Sequence, residues 1–124
     1  NKKKLYILGD GKQKKSYLNV KDCISAILIS TKKSQEKVNT FNLGCDGYIN
    51  VKKSAEIISK RLNLNPKFLF SGGKTGWIGD QPFVYLSTNK IKKLGWKNKI
   101  SIENSVKNTV DWLNNNKWVF KKSK

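Results

Sequence analysis

Histidine is absent from all 124 residues, so imidazole acid/base chemistry and the commonest metal ligand are both excluded. Tyr17 with Lys21, and Tyr48 with Lys52, have the four-residue spacing at which an ammonium on a helix can lower a phenol pKa and let it take a proton from a hydroxyl. The local pattern puts neither pair on one helix face. Tyr17 falls in an alternating, strand-like segment, where four residues span roughly 13 Å, and Tyr48 falls in a loop ahead of Asn50. Gly73-Lys74-Thr75 ends like a phosphate-binding loop. That loop needs a glycine where Phe68 stands, and Gly76, Gly79 and Pro82 follow in place of a helix. Lys14 and Lys15 beside Tyr17 are the better candidates: a cation just past a tight glycine turn can meet a diphosphate, and a neighbouring aromatic can pack on a ring or donate its hydroxyl.

The elements that must hold these groups can be read from the pattern. Leu5–Leu8 reads as a strand stopped by Gly9-Asp10-Gly11, and residues 16–20 as a second strand. A helix follows from Asp22, with Ile24, Ile27, Leu28 and Ile29 giving it more apolar positions than one narrow face can hold. Residues 40–43 form a short strand ended by Gly44. Asn50 caps a helix carrying Val51, Ala55, Ile58 and Leu62 on one face. A strand at 67–70 runs into a long loop that reaches Pro82. Ser87 caps a short helix with Ile91 and Leu94, stopped by Gly95, and Ser101 opens a last helix with Ile102, Val106, Val110 and Leu113 on one side. No unit of strand, glycine-rich turn and long helix opens the chain, so a complete dinucleotide-binding domain is not expected. Asp10, Asp22, Asp46 and Asp80 sit near glycines or helix starts, which suggests turn and capping roles.

Composition bounds the rest. With 37% hydrophobic residues the chain can build one modest core. It begins with Asn and contains no Met, so it is expected to be part of a longer protein. It carries neither an apolar run long enough to span a membrane nor a signal-peptide core, and a cytoplasmic setting is expected. Cys23 and Cys45 are expected as reduced thiols, and no metal site is expected. The net charge of +18 raises nucleic-acid binding, but Arg61 is the single arginine among 26 basic residues, and the lysines are spread through every segment.

Taken in order, the motifs resemble the C-terminal part of extended short-chain dehydrogenase/reductases, the NAD-dependent epimerase/dehydratase family, most closely its UDP-glucose 4-epimerase kind. They are Gly9-Asp10-Gly11 with Gln13, a basic residue, an aromatic and Val20-Lys21-Asp22; Asn42-Leu43-Gly44; Asn50-Val51; Gly79-Asp80-Gln81-Pro82; Tyr85-Leu86-Ser87 with Lys90; and Leu94-Gly95-Trp96. The resemblance runs from about Leu5 to Trp118. It implies an α/β fold, the C-terminal portion of an extended Rossmann-type enzyme with short strands and about four helices. Residues 1–118 would be the substrate-binding portion and 119–124 a basic tail. It implies NAD as cofactor, bound by an N-terminal dinucleotide-binding domain absent here together with the catalytic residues, a nucleotide-sugar substrate, inactivity of this portion alone, and a parent that could pair as a homodimer. The residues implied to grip substrate are Lys15, where relatives usually have an arginine on the diphosphate, Tyr17, Lys74, Trp77, Gly79 and Asp80. A 4,6-dehydratase or another epimerase of the family fits the same motifs, and outside the family the alternative is a basic module for nucleic acid or an anionic surface.

Overall fold

The computed structural model describes residues 3–81 and 83–121. Strand β1 (Lys4–Ile7) lies parallel to β4 (Lys67–Phe70), with Leu5 opposite Phe68 and Ile7 opposite Phe70. A parallel pair needs a crossover, and the 59 intervening residues supply it with two helices. β2 (Lys14–Lys15) and β3 (Ile49–Asn50) form a separate antiparallel pair. Helices α1 (Val20–Lys33), α2 (Val51–Arg61), α3 (Asn89–Lys93) and α4 (Ile102–Asn115) follow the predicted order, and a 3₁₀ turn (Lys117–Phe120) comes after α4. The fold is α/β, with short strands and four α-helices among the described residues.

The predicted caps at Asn50 and Ser101 are present: Asn50 Oδ1 accepts from the Lys53 amide at 2.7 Å and Ser101 Oγ from the Asn104 amide at 3.2 Å. Three local expectations fail. Residues 16–19 are irregular, because the ladder of β2 ends where Lys15 meets Ile49, and alternation without a partner strand does not make a strand. Residues 40–43 likewise lack a ladder partner, although Phe41 and Leu43 pack against the core. The N-cap of α3 is Thr88 rather than Ser87, and its side chain makes no capping hydrogen bond.

The core sits where α1, α3 and the segment after α3 meet. Ala26, Ile91 and Trp96 are almost wholly buried, with Leu18, Ile29, Phe41, Leu43 and Leu94 around them. Trp96 donates from Nε1 to Ser25 Oγ at 2.9 Å and to the Asp22 carbonyl at 3.2 Å. Asp22 does not cap α1, a role taken by Asn19. Its carboxylate, 3% exposed, instead accepts from the Lys99 and Ile100 amides at 3.1 and 3.0 Å and ties α1 to the entrance of α4. On the other side of the molecule α2 packs on α4, braced by a bidentate pair from Arg61 to Asp111 at 2.6 and 2.7 Å.

The predicted apolar face of α2 divides. Ala55 is buried, whereas Ile58 and Leu62 line an open apolar groove of about 940 Å³ shared with Val106, Val110 and Leu113 of α4. Along α1, Val20, Ile24, Ile27 and Leu28 are each at least half exposed, the apolar excess the sequence predicts for that helix. The lysine tail beyond Lys121 lies outside the described residues.

Candidate functional site

The glycine turn and the long loop meet at β2. Gly9 and Gly11 take φ of 80° and 76°, and the Asp10 carboxylate accepts from the Lys12 amide at 2.8 Å, closing the turn. A Cβ on Gly9 would collide with the side-chain amide of Gln13, which is buried beneath the turn and donates to the Leu8 carbonyl at 3.1 Å. The Gln13 carbonyl accepts from the Val51 amide and that of Gly11 from the Lys52 amide, so the turn also carries the first residues of α2. Gly9 donates to Ser71 Oγ at 2.8 Å, which fixes the start of the loop.

Lys15 and Asp80 meet at this junction. Lys15 Nζ donates to Asp80 Oδ1 at 2.6 Å and to the Gln81 carbonyl at 2.9 Å. Asp80 Oδ2 accepts from the Gly76 amide at 2.9 Å, and the Asp80 amide donates to the Trp77 carbonyl at 3.1 Å. The hydrogen bond from Lys15, followed by that from the Gly76 amide, holds the Asp80 carboxyl below the ordinary carboxylate range. Gly79 has φ of 92°, and a Cβ there would stand 3.2 Å from the Trp77 ring, so the indole folds over a position that favours glycine. Lys15, Trp77, Gly79 and Asp80 are therefore one constellation. Tyr17 lines a cavity of about 200 Å³ with Lys15, Cys45 and Gln81. Lys74 is exposed in the loop, on the far side of Gly76 from Asp80 in sequence, and makes no ion pair among the described residues.

The remaining sequence signals resolve differently. Lys21 is in the first turn of α1 while Tyr17 precedes the helix, and Tyr48 precedes β3 while Lys52 is in α2, so neither pair presents phenol and ammonium on one helix. Lys14 Nζ lies 4.3 Å from the centre of the Tyr48 ring. No helix follows Gly73-Lys74-Thr75. Cys45 is buried with its sulfur 3.2 Å from Ser16 Oγ. Of the four aspartates expected in turn and capping roles, Asp10 closes a turn, but Asp46 pairs with Lys92 at 2.8 Å and Asp80 with Lys15. Gln13 and the Gln81 carbonyl were not among the predicted site residues. The glycines on either side of Gln13 signal the turn, but not that the amide would be buried under it. Among the described residues no helix is long and apolar enough to cross a membrane, and no group of three metal-ligating side chains converges.

No protein-family model matches the chain. It is 30% identical over 116 residues to the trifunctional UDP-glucose 4,6-dehydratase/UDP-4-keto-6-deoxy-D-glucose 3,5-epimerase/UDP-4-keto-L-rhamnose-reductase RHM1 of Arabidopsis thaliana, a match that covers 90% of this chain and 16% of that protein. Among solved structures, the UDP-glucose 4-epimerase of Thermotoga maritima with UDP-glucose superposes with a TM-score of 0.77 at 26% identity, covering 90% of this chain and 35% of that one. The dTDP-glucose 4,6-dehydratase of Bacillus anthracis, in complex with NAD, superposes with a TM-score of 0.77 at 24% identity over 94% of this chain and 36% of that one, which speaks to the fold. The chain thus spans about a third or less of the length of these relatives. In α/β architecture and in sequence the chain is similar to a stretch of NAD-dependent epimerase/dehydratase family members that makes up about a third or less of their length.

Proposed function

We propose that this chain is the nucleotide-sugar-binding part of an NAD-dependent sugar-nucleotide epimerase of the UDP-glucose 4-epimerase type. The observation that carries the reading is the Lys15–Asp80 bracket, in which a cation on β2 faces a loop it holds at two points. Two of the three N–H donors of Lys15 are engaged, which leaves one for a phosphate oxygen. Tyr17 and Lys15 border one cavity, where Tyr17 can meet the base or ribose, while Trp77, Gly79 and Asp80 shape the loop that Lys15 holds and Lys74 adds charge from that loop. Residues 1–118 then act as the binding portion and 119–124 as a basic tail, in a cytoplasmic protein.

The residues here do not suit NAD. The Gly9–Gly11 turn leads into β2, and Gly72-Gly73 into an irregular loop, so neither delivers a glycine-rich turn to a helix N-terminus. The cofactor and the catalytic tyrosine and lysine belong outside this chain, which is inactive alone. A homodimeric parent is part of the same proposal.

Titration calorimetry of the chain with UDP-glucose, beside a single-stranded oligonucleotide at matched salt, tests the reading. Saturable heat with UDP-glucose supports it. No response to UDP-glucose together with oligonucleotide binding of steep salt dependence would favour a basic nucleic-acid module. A 4,6-dehydratase is the second reading, supported by the likeness to RHM1, a UDP-glucose 4,6-dehydratase, and would show in the intact parent as conversion of UDP-glucose to a 4-keto-6-deoxy sugar nucleotide in place of UDP-galactose.

A further inference from the structure

Adjacent residues on a strand point to opposite faces, and Lys14 and Lys15 take different partners. Lys15 faces the loop at Asp80 and Gln81. Lys14 sits over the Tyr48 ring at 4.3 Å and within 5.7 Å of the Phe83 ring. Tyr48 and Phe83 meet edge to face with centroids 5.5 Å apart, and Phe83 stacks on Tyr85 at 6.0 Å. These rings are about half exposed, and among the described residues none of them belongs to the buried core cluster or packs against it. Tyr48 adjoins β3, which pairs with β2, whereas Phe83 stands three positions beyond Asp80. The ammonium of Lys14 thus joins the β2–β3 pair to the chain just past the residue that Lys15 holds.

We propose that Lys14 is a positioning residue for the Lys15 site: by drawing Tyr48 and Phe83 together it fixes the loop from the outer side, so that Asp80 stays in register with Lys15. The proposal rests on the reading of Lys15 as the cation that meets the diphosphate. Its mechanical part depends only on the attraction of a cation to ring faces, and a cation held by two rings keeps the loop in place without occupying a donor needed by ligand.

The amide of Gly76, bonded to Asp80 Oδ2, reports the register. Its hydrogen exchange in the full chain should accelerate roughly two- to fivefold in Lys14→Met, the loss expected for an exposed cation–π contact. Lys14→Arg should restore the original rate, because guanidinium also sits over aromatic faces, and Phe83→Leu should reproduce the acceleration. The amides of α2 should keep their protection in all three, which separates a loosened loop from general unfolding. Unchanged Gly76 exchange in Lys14→Met, or acceleration in Lys14→Arg equal to that in Lys14→Met, would overturn the proposal. A parallel UDP titration separates the two ideas. If the exchange pattern holds but the unsubstituted chain gives no UDP response, the ligand reading of Lys15 falls and the positioning role of Lys14 stands.

Discussion

Replacing Lys15 tests the binding site with a magnitude that follows from its contacts. Its ammonium has three donors, of which one goes to Asp80 and one to the Gln81 carbonyl, so a diphosphate gains one charge-assisted hydrogen bond without breaking either. Losing one such bond lowers affinity by roughly 10- to 150-fold. Lys15→Ala also unmasks the Asp80 carboxylate beside the diphosphate, and that repulsion, although screened by solvent, adds to the loss. Lys15→Arg has five donors in a planar fork, enough to keep Asp80 and grip the phosphates bidentately, and should hold or tighten binding. Calorimetric titration with UDP of the chain and the two variants gives the three constants. Equal affinity of Lys15→Ala and the unsubstituted chain would remove Lys15 from the site, and weaker binding by Lys15→Arg would show that the pocket is built for a compact ammonium.

Three further outcomes follow from other parts of the molecule. Asp22→Ala removes the charged acceptor of the part-buried Lys99 and Ile100 amides and should cost about 1–3 kcal/mol in urea unfolding, with Asp22→Asn milder because its carbonyl still accepts; equal stability of Asp22→Ala and the parent would show that water replaces the carboxylate at these amides. Asp80, Asp111 and Glu103 have folded pKa values depressed by hydrogen bonds from Lys15, Arg61 and Lys107 respectively, so their stabilisation is complete above the ordinary carboxylate value of about 4 and is lost as pH falls through the depressed values. The urea midpoint should therefore hold from neutral pH to about 5, then fall, with a shallower acid decline in Asp111→Asn; a midpoint that rises on acidification would contradict the sign. The exposed Val20, Ile24, Ile27 and Leu28 of α1 should make the isolated chain bind an apolar dye and associate despite its charge, and Ile24→Ser with Leu28→Ser should reduce both. Sharp melting of a monomer that binds no dye would contradict this and would favour an independent basic module instead.

Local pattern made much of the fold legible. Asn50 and Ser101 announce their helices by type and place, Gly95 ends α3 with φ of 88°, and the apolar excess of α1 is visible in Ile24, Ile27 and Leu28. What failed depended on partners far along the chain. Residues 16–19 alternate as a strand would, yet strand identity is decided by a neighbour, and β3 offers β2 only two residues. Asp22 stands where a capping residue could, and only the approach of Lys99 and Ile100, more than seventy positions away, reveals its role. At the candidate site the glycine turn and the lysine pair could be read, but the meeting of Lys15 with Asp80 across 65 positions could not. Gly72, Gly73, Gly76 and Gly79 allow that loop many paths, and the one taken is selected by the Gly76 amide and by Lys15.

The most direct test of the account is where UDP binds. In ¹⁵N-resolved spectra of the chain titrated with UDP to about 10 mM, a range that captures weak binding, the account predicts saturable shifts confined to Lys15, Tyr17, the Gly76 and Asp80 amides and the Trp77 indole. Shifts absent throughout that range, or concentrated in the α2–α4 groove at Ile58 and Leu113, would contradict it.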